Sequence, residues 1–391
     1  MTLLPRRTFL RQSAFAAGSL ALLGGTRSAA RVVGANNRLR IAVAGLNGRG
    51  KAHIAGWLEQ PNVEIAYLID PDQRVLERTL KNVQERVQGR YTPQGVADVR
   101  KALADPNLDA ISIAAPNHWH SLMTIWAAQA GKHVYVEKPM SHDVVEGRVV
   151  VAAQQKYGVV IQHGTQRRSD PKLANPVRVM ALGGRFKWND QGETPNTMFA
   201  IAEYPNGQQV FFNVRNVNHP GYVHQVKNEY YFEDGGRIVD SLYFAKGSAK
   251  GEKLDLPPGQ VTPGGNWGSF IAACRAGKPE MANGNAAESH YASVLGHLMN
   301  NSYRLGRKVP FNAKAGRFGD NAAAAEHFLK LHEMMRDGAG VPENGAEYVV
   351  GPWLTFDPAA ERHTGEFAAE ANALLQDPNH KGFEIPSAAK V

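Results

Sequence analysis

Between Arg40 and Gln166, short apolar runs alternate with helical patterns, and no other feature restricts the possible folds as strongly. The runs are RIAVA (Arg40–Ala44), VEIAYLID (Val63–Asp70), LDAISIAAP (Leu108–Pro116), KHVYVEKP (Lys132–Pro139) and VVIQHGTQ from Val159. Helical patterns fill the gaps: Lys51–Glu59, a segment with Pro71 at its start and Gly89 after its end, His120–Gly131, and Ser141–Tyr157. Strands buried on both faces read as continuous apolar runs, and a helix between two such strands makes a right-handed crossover. The expected fold over 38–166 is therefore an α/β, Rossmann-type doubly wound parallel sheet.

After Gln166 the texture changes. VRVMALGGRF (Val177–Phe186), the stretch Thr197–Val217 and the stretch Asn228–Phe244 read as strands joined by Pro-Asn-Gly and Asp-Gly-Gly, which are hairpin turns. The spacing predicts a second, α+β domain over 167–391 with a mainly antiparallel sheet. Lys246–Gly265 reads as a surface loop. Helices are expected near Trp267–Ala276, Ala286–Leu305 and Asp320–Arg336, and an irregular tail from Tyr348 with a helix near Glu366–Gln376. There is no internal repeat.

A chain of 391 residues can form two separate cores. A single cysteine, Cys274, excludes an internal disulfide and a cysteine-cluster metal site, and no metal site is expected. The net charge of +8 falls to +4 without residues 1–30, which carry Arg6, Arg7, Arg11 and Arg27 and no acid. No basic run remains beyond them, which argues against nucleic acid as a partner. Residues 1–30 themselves read as a secretion signal: a basic head, an apolar stretch Ala14–Leu23, and small residues at Ser28-Ala29-Ala30. That stretch is too short to span a bilayer, which takes about 20 apolar residues. Arg6-Arg7 before Thr8-Phe9-Leu10 resembles the twin-arginine export signal. The expectation is a periplasmic or otherwise exported protein that passes through the twin-arginine machinery already folded and is not anchored in the membrane. The bland alternative is an N-terminus without meaning.

The first strand stops at GLNGRG. Gly45 and Gly50 take the first and third positions of a dinucleotide fingerprint, Asn47 the middle one, with Gly48 and Arg49 beside it. Such a turn lets the backbone approach a pyrophosphate while the helix amides face the anion. Asp70 ends the next strand, 20 residues past Gly50. An acid there accepts hydrogen bonds from the ribose hydroxyls and repels a 2′-phosphate, which favours NAD over NADP. The alternative for Asp70 is a helix cap before Pro71. Two later strand ends share this edge of the sheet: Pro116-Asn117-His118-Trp119-His120 and Glu137-Lys138-Pro139. Both should line the crevice, with helix capping the plainer reading for His118 and His120.

These residues resemble the Gfo/Idh/MocA oxidoreductases. The resemblance rests on GLNGRG, AAPNHWH, VEKP, QHGTQRRS, ALGGRF with DQGETPNT, and HLMNNSYRLGRK, and covers Arg38 to about Pro386. It implies that Lys138 faces the carbon that exchanges hydride with nicotinamide, a place where a cation can stabilise an alkoxide and relay its proton. It implies that Glu137 contacts the nicotinamide ribose, that Pro116, Asn117, His118 and His120 pack around the cofactor with His120 close enough to the chemistry to be catalytic, and that Gln166 lies at the domain junction. It also implies a cis peptide before Pro139, and pairing of copies into a homo-oligomer through the antiparallel sheet.

The chain departs from that pattern after Ser169. Family members carry a long segment there, with a strand, much of the sugar pocket and a histidine that assists the lysine; here Asp170–Pro176 leads directly into Val177-Arg178-Val179. His219 and His224 lie in another context. An internal deletion, natural or artefactual, is expected, together with an exposed sheet edge. Three functions remain open: an NAD-dependent oxidoreductase acting on a sugar or polyol derivative, with tightly held and recycled cofactor; an NAD-dependent glycoside hydrolase working by transient oxidation and elimination; and a catalytically impaired nucleotide-binding relic.

Overall fold

A computed structural model describes residues 38–165, 175–188, 191–220, 228–254, 263–378 and 380–391. Arg6-Arg7, Gln166, Ser169 and His224 lie outside them.

The first half is the expected parallel sheet. Its strands are β1 (Leu39–Ala44), β2 (Val63–Ile69), β3 (Gln94–Val96), β4 (Ala110–Ile113), β5 (His133–Val136) and β6 (Ile161–His163), and they lie in the order β3-β2-β1-β4-β5-β6. All pairs are parallel. The order reverses between β1 and β4, so a crevice opens at their carboxyl ends. The helices are α1 (Gly50–Leu58), α2 (Gln73–Val87), α3 (Val99–Leu103), α4 (His120–Gln129) and α5 (Val144–Tyr157). Asp72 caps α2 by accepting from the Arg74 and Val75 amides, and Asp143 caps α5 by accepting from the Glu146 amide at 2.7 Å. Gly158, at φ +63°, ends α5 in the left-handed conformation that glycine adopts freely. One face of the sheet packs on α3, α4 and α5 through Val99, Ile125, Val149 and Val150. The other packs on α1 and α2 through Ile54, Trp57, Val75 and Val83.

The second half is built on β7 (Arg178–Gly184), β8 (Thr197–Glu203) and β9 (Gln209–Arg215), paired antiparallel. A small separate sheet follows: β10 (Glu229–Tyr231), β11 (Arg237–Val239), β12 (Leu242–Phe244) and β13 (Glu252–Lys253). Then come α6 (Gly265–Ala276), α7 (Ala286–Arg304), β14 (Arg307–Pro310), α8 (Ala322–Glu333), β15 (Glu347–Val350), β16 (Leu354–Asp357), β17 (Arg362–Thr364) and α9 (Ala368–Ala373). The tail is thus not irregular. β15 and β16 both pair with β7 along one edge, β15 near its carboxyl end and β16 near its amino end. Gly351-Pro352-Trp353 splits the run between them, and short strands interrupted by proline leave no long alternating pattern to read. Within the expected surface loop, β13 is a second departure. Met180, Leu182 and Phe199 on one face of the main sheet pack on Phe328 and Leu331 of α8. Val179, Ala181 and Ala200 on the other pack on Val294 and Leu298 of α7.

The two halves are pinned together. Helix α6 belongs to the second half yet packs on the α1 face of the first sheet through Phe270 and Ile271. A Cβ on Gly56 would stand 2.5 Å from the Trp267 ring, so glycine is what admits that indole. Glu361 accepts from Arg148 of α5 at 3.0 Å and bonds His290 Nε2 of α7 at 2.9 Å. The His163 amide donates to the Gly284 carbonyl at 2.9 Å. Among the described residues no helix is long and apolar enough to cross a membrane.

Candidate cofactor and catalytic site

β1 delivers the chain to Gly45 at φ +83°, the one left-handed residue of the turn. A Cβ there would lie 2.5 Å from the Ala115 amide, and one on Gly50 would lie 1.8 Å from the Gly45 carbonyl oxygen. Both glycines are required by close backbone approach. Gly48 differs: nothing stands within 4 Å of where its Cβ would be, so this part of the turn faces open space. No side chain caps α1, whose N-terminus follows Arg49. First-turn amides without a capping side chain, beside an open backbone surface, make a cradle for phosphate. Asn47 keeps an ordinary negative φ, and its Oδ1 accepts from Arg78 at 3.3 Å.

Asp70 holds this turn to β2. Its Oδ2 accepts the Leu46 amide at 2.9 Å and its Oδ1 the Asp72 amide at 3.0 Å. The cap of α2 is Asp72, so the capping explanation for Asp70 fails. Its carboxylate is partly exposed at the crevice. The residues present therefore fit a dinucleotide: cradle, helix end and ribose acceptor stand together.

Glu137 ends β5 and is 5% exposed. Its Oε1 accepts from Arg49 Nε at 2.7 Å and from His53 Nε2 at 3.2 Å, and its Oε2 accepts the Lys138 amide at 3.1 Å. Behind it, His53 Nδ1 lies 2.8 Å from Ser112 Oγ, which accepts from Trp57 Nε1 at 2.8 Å. Indole N–H only donates, so the arrangement that satisfies every group has the serine hydroxyl donating to Nδ1 and Nε2–H donating to Glu137. Burial raises the carboxyl pKa, but the hydrogen bonds from His53 and Arg49 outweigh it and hold Glu137 at about 2. Both oxygens of Glu137 thus bind within the domain, as both oxygens of Asp70 do. Sequence reading missed Arg49, His53 and Trp57 as partners. Their spacing of four residues, one face of a helix, was the available signal.

Lys138 is exposed at the crevice, and its bond to Pro139 is cis, as the resemblance implies. Pro116, Asn117 and His118 form an exposed turn in which Asn117 Oδ1 accepts the His118 amide at 3.0 Å. His120 requires a correction. It is buried, with Nδ1 2.6 Å from the Pro139 carbonyl and Nε2 2.8 Å from the Ala115 carbonyl. Burial lowers its pKa although both carbonyls favour the charged ring. With a backbone carbonyl facing each ring nitrogen, and one of them accepting from the neutral ring, His120 lies between the two crevice loops and is buried from substrate. His219 is also distant in context: its ring packs at Gly338, and its Nδ1 lies 2.8 Å from the Pro220 carbonyl.

Residues 39–165 match the family model GFO_IDH_MocA, described as an oxidoreductase family with an NAD-binding Rossmann fold. A scyllo-inositol 2-dehydrogenase (NAD(+)) of Bacillus subtilis is 30% identical over 149 residues, 38% of this chain and 41% of that protein. A glycosyl hydrolase family 109 protein of Shewanella baltica is 28% identical over 151 residues, 37% of this chain and 33% of that protein. The chain thus spans about two fifths or less of the length of the curated relatives it matches. The crystal structure of myo-inositol dehydrogenase from Lactobacillus casei, solved with NAD(H) and myo-inositol, has the same fold at a TM-score of 0.50 and 16% identity, covering 68% of this chain and 95% of that one. Strand order and family match agree: residues 39–165 form a Rossmann-type parallel domain that is similar to the NAD-binding domain of the Gfo/Idh/MocA oxidoreductases.

Proposed function

We propose that the chain is an NAD-dependent oxidoreductase acting on a sugar or polyol derivative. The observation that carries the reading is the open cradle at Gly48 beside Asp70, with Lys138 exposed on the same edge of the sheet. When bound, the nicotinamide cofactor takes or returns the hydride of a substrate C–H bond. Asp70 accepts the ribose hydroxyls, and its negative charge turns away a 2′-phosphate, which favours NAD over NADP. Arg49 and His53 fix Glu137, and Glu137 fixes the Lys138 amide, so the lysine leaves the strand in a set direction. The Lys138 ammonium stabilises an alkoxide and passes its proton. His120 holds the loops on either side of that lysine.

The leader Arg6-Arg7 supports export through the twin-arginine pathway, so the cofactor would be kept by the protein and restored in each cycle. A second reading has its own support: the glycosyl hydrolase family 109 relative matches a stretch as long as the dehydrogenase does. In that reading bound NAD would supply the oxidation of a sugar carbon and the later return of hydride, while Lys138 handles the proton, the aglycone leaves by elimination and water adds in its place.

One preparation tests both. Mass spectrometry of ligand released on denaturing the purified full chain should find NAD, and finding no nucleotide overturns the proposal. Aryl glycosides are then added. Aglycone release without net NADH selects the glycosidase reading, and reduction of the retained NAD by myo-inositol without aglycone release selects the dehydrogenase.

A further inference from the structure

His163 stands at the carboxyl end of β6 and is 5% exposed. Its Nδ1 meets the Thr165 hydroxyl. Its Nε2 is buried and meets no hydrogen-bond partner among the described residues. A buried polar atom left without a partner is destabilising. Such a site suits a partner that arrives with the ligand.

Geometry names that partner. In the parallel pairing of β5 and β6, Val136 stands opposite His163. Side chains alternate along a strand, and paired residues share a face. Val136 and Ile161 lie in the core on the α4 and α5 side. His163, two residues past Ile161, is on that side, and Lys138 follows two residues past Val136, just beyond the end of β5. Glu137 goes to the other face with Tyr135, toward α1. The charges that reach the His163 ring come from Glu137, His120 and Lys138. Burial chiefly, with help from His120 and Lys138 and against Glu137, lowers its pKa to about 4, so the ring is neutral at neutral pH.

We propose that His163 is a positioning residue for Lys138: with Nδ1–H donating to Thr165 Oγ1, its Nε2 accepts a hydrogen bond from the Lys138 ammonium when substrate is seated and fixes that cation at the reacting carbon. This rests on the oxidoreductase reading above. It supplies from β6, in the first half of the chain, the ring that the family resemblance places in the second.

The test begins with the full chain labelled with 15N-histidine. Nε2 should show the shift of an unprotonated ring nitrogen, and Lys138→Met should raise the midpoint of the His163 titration. A protonated Nε2, or a midpoint unmoved by Lys138→Met, overturns the proposal whether or not the protein turns over. With myo-inositol as probe, His163→Leu should lower kcat about tenfold or more with KM little changed, and His163→Gln, which keeps a polar group, should restore part of it. Equal kcat in wild type and His163→Leu also overturns it. A wild type without bound NAD defeats the oxidoreductase reading instead, while the titration still decides for or against the His163–Lys138 pairing.

Discussion

At the carboxyl end of β5, polar side chains are buried and matched to one another; along β9, at the edge of the second sheet, apolar ones face solvent. Glu137, His53 and Ser112 satisfy each other in sequence. Val210 and Phe212 of β9 are 38% and 43% exposed, and among the described residues β9 pairs only with β8. The first arrangement is specific because a buried carboxylate without its partners is costly. The second tolerates change at Val210 and Phe212, whose side chains are exposed among the described residues. The second half meets the first through Trp267 on Gly56 and Gly284 on His163.

Substitutions should separate the two regions by size of effect. Gly50→Val comes first. Its Cβ would meet the Gly45 oxygen at 1.8 Å, and the cost should be about 3 kcal/mol or more with loss of retained nucleotide, read by thermal melting and ligand release. Wild-type stability and nucleotide content in that variant would break the account of the cradle. Glu137→Gln should cost about 2–4 kcal/mol by leaving Arg49 and His53 without their carboxylate. The pH dependence follows in sign. A carboxyl held at about 2 when folded, below its ordinary 4.5, stabilises fully above that ordinary value and loses its contribution as pH falls toward 2. Urea unfolding of Glu137→Gln between pH 5 and about 3 should therefore show a shallower loss of stability than the wild type. Gly56→Ala should cost about 1–3 kcal/mol through the Trp267 clash and report on the junction of the halves by near-UV circular dichroism. Phe212→Thr, on β9, should change stability by no more than about 0.5 kcal/mol in denaturant unfolding. A larger loss there would mean that the edge of the second sheet is covered after all.

The same contrast governs what the sequence made legible. Uninterrupted apolar runs identified β1, β2, β4 and β5, and the order of strands and helices gave the parallel sheet. Gly45, Gly50 and Asp70 were readable because a turn, a close approach and a strand end each demand one residue type. The partners of Glu137 were not, since Arg49 lies 88 residues away and Ser112 belongs to another strand. His120 was misread because a histidine beside a crevice and one that braces two loops behind it look alike until both ring nitrogens are placed. The tail strands β15 to β17 were missed because each is held by pairing to β7 or to a neighbour, with little local pattern of its own.

The claim that the first sheet carries an NAD site discriminated by Asp70 is tested most directly by calorimetric titration of the nucleotide-stripped full chain with NAD and with NADP. The account predicts that NAD binds at least about tenfold more tightly, a difference of ~1.4 kcal/mol. Equal or tighter binding of NADP, or no binding of either, would contradict it.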